Sequence, residues 1–542
     1  MHMAGHAGCR WVRRALMLVL LLGAVTVRAG DDMVRYVVRK DDTLIGLGEA
    51  MFADPSAWPQ VQRINRVANP RRIPIGTVLS IPVRLLRTVP REGEVVFVSG
   101  QARADGASLA TGDKVPEGAR LETGADGFLS IALPDGSHLT LQPQSRVRVE
   151  GLHGFVGIDD AQRASFEVDE GRVETEVAPQ KGPAARYRIH TPTAIIGVRG
   201  TSFRVAADAA VTRAEMREGT VQVAGPQGGG RPVALREGFG LVARAGKPLP
   251  KPVALLPAPD LTDLPTLHER PLVSLELAPL AGAIAYRGQV ATDAGFSRIV
   301  AEARSAVPVL KIDGLADGDY FLRVRGVDSR GLEGRDAQMA FRLKARPEPP
   351  FVNAPRPDGK VRAGEVAFAW ARAEGAARYR FELSRQADLS EPLVSRADLA
   401  EPDLRVALEE GTYYWRLAST RADGDRGPWG DPVRVTVRPP MAPVPPPAFD
   451  DTSMFFAWGG EPGQRFEYQL ADDTDFATVL ASGTVAQPEV RMDKPAPGAY
   501  YLRIRAIDPD GFVSAYSAPQ KVIVPASFPV WLIGVPLMMI FL

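Results

Sequence analysis

A Gly-x-Tyr strand motif recurs three times in the second half of the chain and constrains the fold more than any other feature. Gly318-Asp319-Tyr320-Phe321-Leu322-Arg323-Val324-Arg325 returns as Gly411-Thr412-Tyr413-Tyr414-Trp415-Arg416-Leu417. It returns again as Gly498-Ala499-Tyr500-Tyr501-Leu502-Arg503-Ile504-Arg505. The tyrosines stand 93 and 87 residues apart, and Leu277, Trp370 and Trp458 precede them by 43, 43 and 42. Two anchors held at one spacing in three copies define units of about 90 residues. Strand-rich units of that size, with an aromatic on each of two strands, predict β-sandwiches. They are expected at 267–346, 347–439 and 440–525, each with its own core and joined by proline-rich linkers at 346–357 and 439–447.

The remainder of the 542 residues is too long for one further core. Seven prolines between Lys247 and Pro271 mark an extended linker, placed at 244–266. Residues 93–243 read as an all-β domain, a roll or sandwich. Phe128–Leu133 and His138–Leu141 alternate around Asp135-Gly136, which is a hairpin signal. Further strands fit 164–168, 172–177, 186–190, 202–205, 214–218 and 221–223, with turns expected at Glu170-Gly171 and Glu218-Gly219. Residues 36–82 read as strand, helix, helix, strand. Asp42 or Thr43 can cap the first helix, and Trp58, Val61 and Ile64 share a face of the second. The fold class is therefore mainly β and multidomain, with one small βααβ module at its start.

Three of these segments resemble known families. YVVRKDDTLIGLG (36–48), WPQVQRIN (58–65) and NPRRIPIGTVLSIP (69–82) resemble the LysM family over the whole module. The resemblance implies binding of N-acetylglucosamine-containing glycan, chiefly peptidoglycan or chitin, in a shallow groove between two loops. Here those loops are Asp42, Thr43, Leu44 and Ile45, and Asn69, Pro70, Arg71, Arg72 and Ile73. Leu44 or Ile73 is expected to floor the groove. Asp41 stands where the family usually has Gly, and it adds charge beside that groove.

The runs GDKVPEGARLETGADGFLSIALPDGSHLTLQPQSRVRV (112–149), FEVDEGRVE (166–174), YRIHTPTAIIGVRGTSFRV (187–205) and REGTVQV (217–223) resemble the FecR domain. The family's named member relays a siderophore signal to a cytoplasmic sigma factor. Only 14 residues precede the apolar run at Ala15, so the periplasmic β module is carried over and the cytoplasmic role is not. His190, Thr191, Arg199 and Thr201 form a candidate ligand site there, although turn chemistry at Gly197 and Gly200 accounts for the motif as well. The 90-residue units resemble fibronectin type III-like domains in pattern, which implies spacer or protein-binding roles.

Arg10, Arg13 and Arg14 before the run Ala15–Val27 read as a cleaved signal peptide over 1–29, and hence a periplasmic or cell-envelope location. The apolar tail at 526–542 is too short and too proline-broken for a comfortable span, so membrane contact there would be superficial. A formal net charge of +1 argues against nucleic acid as a partner. One cysteine and six histidines leave no disulfide, no cysteine zinc site and no cofactor motif. The Asp313/Asp317/Asp319 and Asp472/Asp473/Asp475 clusters lack calcium-loop spacing. HExxH, GxSxG, P-loop and GxGxxG motifs are absent. The expected function is that of a non-enzymatic envelope scaffold bound to peptidoglycan. The alternatives are an envelope sensor acting with a protein partner through the FecR-like module, and a peptidoglycan-active enzyme.

Overall fold

The computed structural model describes residues 33–179, 186–198, 200–226, 231–439, 441 and 444–526. The expected signal peptide, Arg199, and residues 527–542 of the tail lie outside the described residues. Among the described residues the fold is mainly β, with α-helices confined to the N-terminal module. Among the described residues no helix is long and apolar enough to cross a membrane.

The module is built from β1 (Met33–Val37), α1 (Leu44–Met51), α2 (Trp58–Asn65) and β2 (Val78–Pro82), with β1 and β2 antiparallel. Thr43 caps α1 by accepting the Gly46 N–H at 2.9 Å, and Leu44, Leu47, Gly48 and Met51 form its buried stripe. The inward stripe of α2 runs from Val61 to Asn65. The Asn65 amide donates to the Ser80 carbonyl at 2.8 Å and accepts the Ser80 N–H at 2.7 Å. That bond turns Ile64 outward, 41% exposed, and Trp58 is only half buried. Trp58 packs against the edge of the core, whose centre is supplied by Leu44, Met51, Phe52, Val61 and Leu79, and Ile64 does not join it.

Strands from Thr88 to Ala254 close into a barrel around Leu121, Leu129, Ile131, Val149, Phe166, Ile189, Phe203 and Met216. The Asp135-Gly136 hairpin forms in the expected register, with Ile131 opposite Leu139. No turn forms at Glu170-Gly171. One strand, Ile158–Glu176, runs through it and pairs with residues 146–155 on one face and with 138–141 and 202–207 on the other. Gly171 makes this crossing possible, at φ 94°, because a Cβ there would lie 2.4 Å from the Ser145 Cα. The module and barrel share core, since Phe155 and Ile158 pack with Met51 and Phe52. The proline-rich segment after the barrel is not a bare linker. Val253 pairs with Gly240, the Leu255 N–H donates to Gly238, and Leu249 packs on the barrel core.

The chain divides into two compact units, one of residues 1–264, 274–310 and 321–339, the other of 265–273, 311–320 and 340–542. The boundary passes through the first repeat, most of which belongs with the barrel; this differs from the expected series of separate beads. In the first unit, strand Ala285–Ala291 lies between Ile299–Ser305 and residues 321–327, with Gln289 opposite Arg323 and Arg287 opposite Arg325. The second unit holds the other two repeats, each with two sheets. The second repeat has a three-stranded and a five-stranded sheet, and the third a three-stranded and a four-stranded one. Each has its own aromatic core, around Phe368, Trp370, Phe381 and Trp415 in one and Phe456, Trp458 and Phe466 in the other.

Candidate functional site

The two loops of the N-terminal module meet. The Leu44 N–H donates to the Pro70 carbonyl at 2.8 Å, joining residues 42–45 to residues 69–73. The Asp42 carboxylate accepts the Tyr36 hydroxyl at 2.9 Å and the Arg39 N–H at 2.6 Å, which pins the first loop. Burial, with Asp42 adding to it, raises the Tyr36 pKa above its ordinary value, so the phenol remains a donor. Asn69 accepts the Arg71 N–H at 2.9 Å and its carbonyl accepts that of Arg72, which folds the second loop into a tight turn. Asp41 has φ 68°, the left-handed conformation a glycine adopts freely and an aspartate tolerates.

Leu44 and Ile73 are buried in the module core, so neither offers a floor to a ligand. The atoms a ligand can reach belong to Asp42, Thr43, Ile45 and Pro70, which are half buried, and to Asn69, Arg71 and Arg72, which are exposed. The exposed surface of the two loops is thus polar and built on turn backbone, which suits amide and hydroxyl partners.

The three candidate residues of the barrel that are described, His190, Thr191 and Thr201, fall into separate settings. His190 Nδ1 lies 2.6 Å from Glu150 Oε2. Thr191 turns inward, accepting the Ala194 N–H and joining the hydroxyls of Thr193 and Thr212 in a buried chain. Thr201 lines a cavity of about 630 Å3 with Arg204, Arg217, Glu218, Arg335 and Asp336. Arg199 lies outside the described residues. The aspartate clusters serve turns: Asp473 accepts the Asp475, Ala477 and Thr478 N–H groups, and Asp317 those of Ala345 and Arg346. Among the described residues no group of three or more His, Cys, Asp or Glu is placed to hold a metal.

A charged layer within the first unit carries no motif and escaped sequence reasoning. One outer face of the barrel presents Ser130, Thr140, Gln142, Glu174, Arg204 and Glu215, on the side opposite the core residues Leu129, Leu139, Val173, Val205 and Met216. All six are buried. Against them lie Arg287, Gln289, Arg323 and Arg325 of the first repeat, also buried. Glu174 receives Arg323 at 2.8 Å and Arg325 at 3.0 Å. Glu333 receives Arg287 at 2.6 Å and Arg325 at 3.1 Å. Arg204 reaches Asp336 at 2.9 Å and donates to the carbonyls of Glu333 and Gly334. Glu302 takes Arg287 at 2.5 Å, and Gln142 bonds the same guanidinium.

The ionisation of the layer follows from this pairing. Burial alone would raise Glu174, but Arg323 and Arg325 hold it well below the usual carboxylate range. Glu333, Glu302 and Asp336 are lowered in the same way against burial, chiefly by Arg287 for the first two and by Arg325 for the third. Glu215 is the exception. Burial, with the Glu333 carboxylate adding to it, pushes it up to about 7 against the pull of Arg204 at 3.6 Å and of Arg325.

Residues 119–222 match the FecR protein family, so the barrel contains a FecR domain. No curated protein matches the chain. Among solved structures, the chain is similar to a protein assigned as an anti-sigma factor from Parabacteroides distasonis ATCC 8503, at 18% identity and a TM-score of 0.21. That match covers 25% of this chain and 59% of the other, so the chain spans under two thirds of that protein's length. The three fibronectin domains FN1–FN3 of chicken CNTN1 match at 14% identity over 48% of this chain and 96% of theirs, with a TM-score of 0.20. The fibronectin(III)-like modules of Clostridium thermocellum CbhA match at 16% over 17% and 98%, with a TM-score of 0.13.

Proposed function

We propose that this chain, whose barrel contains a FecR domain, is a non-enzymatic cell-envelope protein that binds peptidoglycan through its N-terminal module. The observation that supports the reading is the Leu44–Pro70 backbone bond, which joins the two loops whose sequence resembles the glycan-binding loops of LysM domains. Turn backbone, Thr43 and Asn69 would meet acetamido and hydroxyl groups, while Arg71 and Arg72 would meet the carboxylates of a peptidoglycan strand. The FecR barrel and the sandwich repeats would then present protein-binding surface at the wall. A second reading, an envelope sensor, is favoured by the FecR match at residues 119–222.

Co-sedimentation of the full chain with purified peptidoglycan tests the first reading. The expected result is retention that is lost when Ile45, Arg71 and Arg72 are replaced together by Glu, with the thermal melting profile unchanged. These three side chains lie outside the core, so their loss leaves the fold intact. Equal retention of the triple variant would remove the groove assignment. Release of soluble muropeptides during the same incubation would favour an enzyme instead.

A further inference from the structure

In the repeats the same sheet face carries a rung of paired charges, and the first repeat differs from the others in how those charges are balanced. In the third repeat Arg505 pairs with its cross-strand neighbour Glu467, and Arg503 bonds Gln469 at 2.6 Å. In the second, Arg416 pairs with Glu382 at 2.6 Å. The first repeat retains the Arg323–Gln289 rung, also at 2.6 Å. Opposite Arg325, however, it has Arg287 rather than a glutamate. This face has lost its own counter-charge and takes it from outside its two paired strands. The acids come from Glu174 on the barrel and from Glu302, Glu333 and Asp336 of the repeat itself.

The charged layer is the polar part of this contact; beside it Phe128 of the barrel packs with Ala291, Phe296 and Ile299 of the repeat. A buried ion network also gives specificity more readily than net stability, because each charge has been taken out of water. The Ser130 hydroxyl donating to the Ser297 carbonyl at 2.6 Å adds a further register mark.

We propose that the first repeat is a proton-dependent cover over this face of the FecR domain, with Glu215 as the group whose charge loosens it. The surroundings of Glu215 bear this out from every side. On its own strand stand Arg213 and Arg217, and on the adjacent strand Arg204. From the repeat come the Glu333 N–H, which donates to Glu215 at 3.2 Å, the Glu333 carboxylate, and Arg325. Arg172, Arg287, Glu174, Glu302 and Asp336 complete the layer. Arg204 pairs with Glu215 at 3.6 Å and is shared with Asp336.

The sign follows from the direction of each shift. Glu215 titrates higher when covered than when free, so closure takes up a proton, is favoured below about pH 7, and weakens as pH rises through that value. Glu174, Glu302, Glu333 and Asp336 titrate lower when covered, so their contribution is present above the ordinary carboxylate range and is lost under stronger acid. The cover is tightest in mildly acidic medium. A shift of this size changes the open–closed ratio on the order of a hundredfold between mildly acidic and alkaline pH. The inference concerns the FecR barrel and stands apart from glycan binding by the module.

Hydrogen–deuterium exchange of the full chain between pH 5.5 and 8.5, corrected for intrinsic exchange rates, tests it. Strands 128–132, 138–141 and 211–218 are expected to lose protection as pH rises, while strands 146–149 and 186–190 on the opposite face do not change. Glu215→Gln, neutral and of the same shape, is expected to abolish the pH response of the first set. A flat wild-type profile in those strands overturns the proposal, as does an unchanged response in the variant. If Glu215→Gln also loses protection at 146–149, it has failed to fold, and the wild-type profile alone decides.

Discussion

Tyr320, Tyr413 and Tyr500 each donate their hydroxyl to the backbone carbonyl four residues upstream, at Ala316, Glu409 and Ala496, over 2.8–3.0 Å. The ring closes the sandwich and the hydroxyl satisfies a carbonyl at its corner, so one residue does two jobs. The second anchor is equally regular. Leu277, Trp370 and Trp458 each donate their backbone N–H to a proline carbonyl, Pro308, Pro402 or Pro488. Tyr413 is 2% exposed. Tyr413→Ala is therefore expected to destabilise the second repeat by about 3–5 kcal/mol, the cost of an aromatic cavity. Tyr413→Phe, which loses only the hydrogen bond, should cost about 1 kcal/mol. Chemical denaturation followed by the fluorescence of Trp370 and Trp415 separates the two. Equal losses would mean that the hydroxyl, not the ring, holds the corner.

The strand Ile158–Glu176 shows how one element determines the barrel. It feeds two faces, and Gly171 is the point where it turns from one to the other. A residue with a Cβ there would strain the backbone at φ 94° and strike Ser145. Gly171→Ala is expected to cost about 3 kcal/mol, combining left-handed strain with overpacking. Thermal unfolding followed by circular dichroism would show it, and a loss under about 0.5 kcal/mol, the level of an ordinary surface change, would mean that the strand can cross without the glycine. In the sequence this glycine reads as a turn, because Glu-Gly between two alternating runs has the same local signature in either case. Only the partners on both sides of the strand distinguish a bend from a turn. The βααβ order, by contrast, was legible: Thr43 as cap, the stripe Leu44, Leu47, Met51, and the closing strand are all local.

At the scale of the molecule the three repeats are alike in frame and unlike in role. The first shares a compact unit with the barrel through a layer of buried charge, and the second and third lie in the other unit. Arg325 is fully buried and touches Glu174, Glu333 and Asp336. Arg325→Ala would leave those carboxylates short of a cation, at a cost of about 3–5 kcal/mol. Calorimetry of the variant should show the barrel and first repeat melting earlier and together, with the transitions of the second and third repeats unmoved. A first repeat that melts alone would mean that the charged layer does not couple it to the FecR domain.

What the sequence determined by itself was whatever has a short period or a fixed interval: alternation along strands, the three 90-residue frames, the capped helix and the Asp-Gly hairpin. Each depends on neighbours within a few residues or on a repeated template. The tertiary structure alone decided which side of each pattern would be covered. Leu44 and Ile73 face inward, although a loop position does not say so, and Asn65 rather than Ile64 turns toward the sheet. Arg325 and Arg505 look alike as text, yet one lies against the barrel and the other pairs with Glu467 in the third repeat's own sheet. The difference was written in Arg287 against Glu467, a charge left without its cross-strand partner. A sequence can show that such a charge is unbalanced, but the acid that balances it comes from Glu174, 149 residues away from Arg323, and only folding brings the two together.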